Sequence, residues 1–162
     1  MQKKSIFIIM ISLFLVGCET IRPSYMECDN RITAFEEGSR ITLRTLDNGA
    51  TAQARFNGVS ALCNERDDVV NMRIKIGLKL VRDIHQNKEA VTLELPLLIA
   101  ILDPQDAVKS FESVSYRMAF PEGQEIIYPV INPKIKKPKS GRVILSLSCL
   151  LYTSDAADDQ AC

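Results

Sequence analysis

From Val70 to Leu80 every even position is apolar (Val70, Met72, Ile74, Ile76, Leu78, Leu80), while Asn71, Arg73, Lys75 and Lys79 stand between them. A period of two sends the two sets to opposite faces of a β-strand, so the segment predicts a strand with one buried and one solvated face. A second run places Val91, Leu93, Leu95, Leu97, Ile99 and Ile101 on one face and Thr92 and Glu94 on the other. Its second face turns apolar at Leu98, Ala100 and Leu102, which predicts cover on both sides at that end. The polar link 83–88 (DIHQNK) reads as a turn, so the two runs are expected to pair antiparallel.

The same period recurs on both sides of this pair. Asp103-Pro104-Gln105-Asp106 reverses the chain into a strand from Ala107 to Phe120, with Val108, Val114, Tyr116, Met118 and Phe120 in phase. The phase breaks at Phe111-Glu112, where a β-bulge is expected. Pro121-Glu122-Gly123-Gln124 turns into an apolar segment from Ile126 to Ile131, and Arg142 to Ser148 supplies another strand, with Val143, Leu145 and Leu147 on one side. Earlier, Arg40 to Leu46 alternates before the turn Asp47-Asn48-Gly49, and Ala52 to Leu62 reads as a strand ending at Cys63. Residues 29–40 hold a short helix or an irregular segment. Many closely spaced strands with no amphipathic helix and no repeat predict an all-β chain folded as an antiparallel β-sandwich.

The N-terminus follows a different pattern. Lys3 and Lys4 precede the uncharged run Ser5 to Val16, which has the layout of a secretory signal peptide. The run is about a dozen residues, whereas a helix needs about 20 to cross a bilayer, so cleavage is expected rather than a permanent span. Leu15-Val16-Gly17-Cys18 resembles the lipobox of bacterial lipoproteins. That resemblance implies cleavage after residue 17, a diacylglyceryl group on the Cys18 thiol and an acyl chain on its new amino group. The alternatives are an ordinary cleaved signal or an uncleaved anchor. Two or more chains give stable anchoring, at about 0.8 kcal/mol per buried methylene. Glu19 is not the aspartate that favours inner-membrane retention in such families, so the expected place is the periplasmic face of the cell envelope, with the outer membrane favoured. Residues 18–27 read as a lipidated tether, and 28–148 as the folded domain.

At the other end, Cys149 to Asp158 resembles one reading frame of a transposon adapter used in preparing sequencing libraries. Residues 149–162 are therefore read as an artefactual tail, with a native product cut near Ser148; a genuine acidic tail is the alternative. Setting both ends aside leaves a body of 18 basic and 17 acidic residues, a net charge of +1. That balance argues against nucleic acid or any strongly charged partner. It also leaves two cysteines, Cys28 and Cys63. In an oxidising compartment a disulfide between them is the economical reading, against two buried thiols or a metal pair.

Candidate chemistry is sparse. His85, the single histidine, lies in a polar link between two strands and reads as a solvated loop histidine rather than a catalytic base, and no nucleophile elbow, zinc pair or phosphate loop is present. The acidic turn Asn64-Glu65-Arg66-Asp67-Asp68 reads as solvated rather than as a cation site, since it carries an arginine and lacks EF-hand spacing. Lys134, Lys136, Lys137, Lys139 and Arg142 form the one local charge concentration, in a proline-punctuated loop. It reads as a solvated hairpin loop or as a contact with anionic lipid headgroups or phosphorylated glycans. No catalytic residue, metal or cofactor is expected beyond the covalent lipid on Cys18.

The order of features resembles a group of uncharacterised alphaproteobacterial envelope lipoproteins. The shared features are Cys28 after the tether, Cys63 before the acidic turn, the long alternating strand, and the stretches Leu93 to Pro104 (LELPLLIAILDP) and Phe111 to Gly123 (FESVSYRMAFPEG). The resemblance covers roughly residues 28–148 and implies an Ig-like sandwich with a lost last strand. It implies no activity. The expected role is a membrane-anchored, non-enzymatic module that contacts another envelope protein or anionic lipid. The alternative is a hydrolase or ligand-binding enzyme whose decisive residues lie in a missing C-terminal segment.

Overall fold

A computed structural model describes residues 24–47, 49–85 and 88–147. The signal peptide, Cys18 and the 149–162 tail lie outside the described residues. Eleven strands form two packed sheets: β1 (Met26–Glu27), β2 (Ile32–Ala34), β3 (Arg40–Arg44), β4 (Thr51–Arg66), β5 (Val69–Arg82), β6 (Val91–Leu102), β7 (Val108–Phe120), β8 (Ile126–Ile127), β9 (Val130–Ile131), β10 (Lys134–Pro138) and β11 (Arg142–Ser146). The expected all-β sandwich is the fold. Residues 29–40 hold two single 3-10 turns, Asp29–Arg31 and Glu37–Ser39, flanking β2.

The long β4–β5 hairpin is the centre of a seven-stranded antiparallel sheet. β3 and β1 pair with the two ends of β4, and β8, β9 and β10 pair with β5. The second sheet has the order β2-β11-β6-β7, with β2 and β11 parallel and the other pairs antiparallel. Even positions of β5 face odd positions of β6 across one continuous core, in which Val70, Ile76, Leu78, Leu80, Leu93, Leu95 and Leu97 are almost fully buried. On the opposite face of β6, Leu98, Ala100 and Leu102 are buried too, as their apolar character predicts.

The two long alternating strands do not pair with each other. β5 belongs to the seven-stranded sheet and β6 to the four-stranded one, so the segment after Arg82 crosses between sheets instead of closing a hairpin. Stacking the strands face to face buries both apolar rows against each other, whereas side-by-side pairing would put both rows on one face that still needed a second layer to cover it. A second correction concerns β7. Its register jumps from Ile101–Ser110 to Leu102–Val108, so the bulged residue is Lys109, and Phe111-Glu112 stays in regular pairing. Glu112 keeps the phase of Tyr116 and Met118 but is exposed, because the core does not extend under the first half of β7.

The third correction is the basic loop, whose residues 134–138 form strand β10. It continues the register of β8 and β9 along β5, so that 125–138 acts as one interrupted edge strand: Arg82, Leu78 and Ile74 donate their N–H groups to the carbonyls of Glu125, Pro129 and Pro133. Pro129 and Pro133 have no N–H to return, which breaks the ladder into three short strands. Odd positions of this edge face inward, and Lys137 is among them, 2% exposed. Prolines and an inward lysine are both features that stop an edge from recruiting a further strand. The β7 edge lacks such protection: among the described residues it pairs only with β6 and contains no proline.

Candidate functional site

Cys28 and Cys63 are joined, with Cα atoms 5.8 Å apart. The bond ties the chain just after β1 to β4, where Met26 pairs with Cys63 and the Asn64 side chain donates to the Ser24 carbonyl at 2.6 Å. Nearby, the Asp29 carboxylate accepts the Ala61 N–H at 2.6 Å and fills the gap on the β4 edge between β1 and β3. The acidic turn is partly neutralised. Glu65 meets Arg31 at 2.5 Å and Lys139 at 3.1 Å, and these partners, Lys139 foremost, hold its carboxyl below the ordinary glutamate range. Among the described residues no group of three or more His, Cys, Asp or Glu side chains is arranged to hold a metal. His85 is exposed, its N–H capped by the Asp83 carboxylate at 2.9 Å.

The five cations of the sequence-local basic cluster do not act together. Lys137 is buried and donates to the carbonyls of Pro138, Lys139 and Gly141, so it is unavailable to an external anion. Burial pushes its pKa down, helped by Arg31 and opposed by Glu65. Lys139 is spent on Glu65, and Arg142 meets Asp106 at 2.8 Å on the other sheet. Lys134 and Lys136 remain, both pointing outward from the seven-stranded sheet.

That outward face gathers cations which the sequence holds far apart. Strand alternation turns Arg40 and Arg44 of β3, Arg55 and Arg66 of β4, Arg73, Lys75 and Lys79 of β5, and Lys134 and Lys136 of β10 to the same side. Glu27 is the acidic residue on the strands of that face, at the β1 edge beside Leu62. Arg73 stacks on the Tyr25 ring, 4.1 Å from its centroid. At one end of the face Asp83 and Glu125 line a hollow with Thr51, Gln53 and Val81, whereas Glu94, Asp103 and Asp106 pair with Arg117, Lys109 and Arg142 around the four-stranded sheet. A nearly neutral body is therefore polarised, with one strongly basic face.

Within that face three cations stand in one row. Arg40 is directly opposite Arg55, and Arg55 directly opposite Lys79. In the adjacent row Thr42 is opposite Gln53, and Gln53 opposite Val81. Together the two rows line an open concavity of about 590 Å³. Just beyond Arg55 the register of β4 slips between Phe56 and Gly58, and Gly58 lies opposite Gly77, so neither of those two positions adds a side chain beside the row. Sequence reading missed this arrangement because its cations come from three strands, up to 39 positions apart. The visible signal was only that each strand keeps cations in its outward phase.

Comparison of the chain with models of protein families, with curated proteins and with solved structures found no match.

Proposed function

We propose that this protein is a lipid-tethered, non-enzymatic module of the cell envelope that rests on an anionic surface through the basic outer face of its seven-stranded sheet. The observation that carries this reading is the collection of nine cations on one face of a body whose net charge is only +1. Basic residues near an anionic membrane contribute about 1 kcal/mol each and act within a Debye length. A lipid on Cys18 would bring this face to such a surface, because five residues separate Cys18 from Ser24 and the six steps between them span at most about 20 Å. Arg73, Lys134 and Lys136 lie at the tether end of the face, since Arg73 pairs with Leu62 and Leu62 with Glu27. In this reading Cys18 holds the domain to the periplasmic face of the outer membrane.

The test uses the mature chain carrying Cys18→Ser, so that lipid insertion does not mask surface binding. It should sediment with vesicles rich in phosphatidylglycerol, remain free with phosphatidylcholine, and release as salt rises from about 0.05 to 0.5 M. Arg73→Gln with Lys134→Gln and Lys136→Gln should abolish the binding. Unchanged binding by that triple variant would remove the proposal.

A further inference from the structure

We infer that the Arg40–Arg55–Lys79 row is a discrete binding site for a phosphomonoester group. The inference deepens the reading of the basic face and rests on it, but it names one site and one ligand chemistry. Directly opposed residues on neighbouring strands hold their Cβ atoms about 4.5–5.5 Å apart, and like charges so placed destabilise a sheet. Here two such contacts occur in succession across three strands. Among the described residues none of the three is ion-paired; their aromatic neighbour is the Tyr128 ring, 6.0 Å from the Lys79 ammonium. Around the four-stranded sheet, by contrast, exposed cations pair with acids, as at Arg117–Glu94, Lys109–Asp103 and Arg142–Asp106. The row is thus a place on the basic face where three cations without an acid partner stand directly opposite one another.

The geometry fits a compact multivalent anion. Two guanidinium forks and an ammonium on one row offer donors to several oxygens at once, and arginine matches phosphate in a bidentate manner. A phosphomonoester carries about −1.5 to −2 charge at pH 7 and three terminal oxygens, so it would nearly neutralise the row. Thr42 and Gln53 in the next row add uncharged hydrogen-bonding groups beside it. The concavity has room for the group that bears the phosphate, and the Gly58–Gly77 pair adds no side chain at its flank. The β4 bulge adjoins Arg55, a position where bulges commonly re-aim side chains. The row lies eight residues along β5 from the position opposite Lys136, roughly 26 Å at about 3.3 Å per residue. It is therefore separable from the tether-proximal cations.

The site can be tested calorimetrically on the mature chain carrying Cys18→Ser, with inorganic phosphate and then glycerol 3-phosphate at constant ionic strength. Saturable binding of both is expected, at least about tenfold weaker in Arg55→Thr and in Lys79→Gln, and within twofold of the parent in Lys134→Gln/Lys136→Gln. A second readout separates binding from scaffolding. Without phosphate, Arg55→Thr should melt about 2 °C higher than the parent, because the opposed charges are gone, and it should lose the stabilisation that phosphate confers on the parent. Vesicles with phosphatidic acid in place of phosphatidylglycerol show whether the phosphomonoester is taken from a lipid: Arg55→Thr then weakens only the former. Equal response to phosphate and to chloride at matched ionic strength, or equal weakening by the Lys134/Lys136 pair, would overturn the inference. If phosphate binds at the row but no vesicle is bound, the docking reading falls and the site stands; vesicle binding without phosphate binding has the opposite meaning.

Discussion

The two ends of the core are each closed by a buried cation from the seven-stranded sheet, and they are built differently. At one end Arg82, the last residue of β5, is 4% exposed and donates to the carbonyls of Gln124, Glu89 and Pro121 at 2.8, 2.6 and 2.9 Å, with its guanidinium 5.1 Å from the Phe120 ring centroid. At the other, Lys137 opposite Val70 donates to three carbonyls of its own turn, and around it stand Arg31, Glu65, Lys139 and the Cys28–Cys63 bond. Arg82 joins segments 7 to 42 residues away, where the chain crosses between sheets, and its fork is what holds that crossing together. Lys137 joins residues at most four away. Long-range closure at the Lys137 end comes from the disulfide and the Glu65 pairs instead. A cation that organises distant chain is hard to replace; one that satisfies its own turn is not.

The comparison can be broken in order of size. Replacing Cys28 and Cys63 by serine should cost roughly 3–4 kcal/mol, the loop-closure term for this separation, and should loosen the Lys137 end first. Chemical denaturation with hydrogen exchange would show it as lost protection at Arg31 while Arg82 keeps its own. Arg82→Met should cost about 3 kcal/mol, because three carbonyls lose a charged donor, and Arg82→Lys should recover less than half, since one ammonium cannot reproduce the fork. Equal stability of the two variants in urea would refute the claim that the fork matters.

Smaller effects sharpen the contrast. Lys137→Met should cost only about 1 kcal/mol at pH 7, since two of the three carbonyls it leaves, those of Pro138 and Lys139, belong to exposed residues that water can reach. Its pH dependence should differ more than its stability. The folded pKa of Lys137 lies below its unfolded value of 10.5, so the unfolded chain binds more protons between the two values and stability rises with pH across that interval. The methionine variant should lack this rise in urea midpoints taken from pH 7 to 10.5. Glu65 has the same sign, in the acid range. Its folded pKa is below 4.5, so its contribution is present above that pH and is lost as pH falls through the folded value. Glu65→Gln should flatten the acid limb below pH 4.5, and an unaltered limb would mean that the Arg31 and Lys139 pairs contribute nothing.

Much of the fold was legible because alternation is local. The inward row of β5 from Val70 to Leu80 and that of β6 from Val91 to Ile99 are the observed core rows, and the Cys28–Cys63 pairing followed from setting aside the cysteines at the two ends. The errors were errors of neighbourhood. A polar link between two strands was read as a hairpin, although the same link can step from one sheet to the other. Five nearby cations were read as one patch, although adjacent strand positions point to opposite faces, so Lys136 reaches solvent and Lys137 the core.

The sequence by itself determined the strand phases, the all-β class and the choice of cysteines, because each depends on residues a few positions apart or on simple elimination. The tertiary structure alone decided that β5 and β6 stack rather than pair, that Arg82 and Lys137 close the core, and that Arg40, Arg55 and Lys79 meet in one row. The physical reason is the same in each case. Alternation tells a strand which face is apolar, but only register and sheet order tell a side chain which distant residue will stand opposite it.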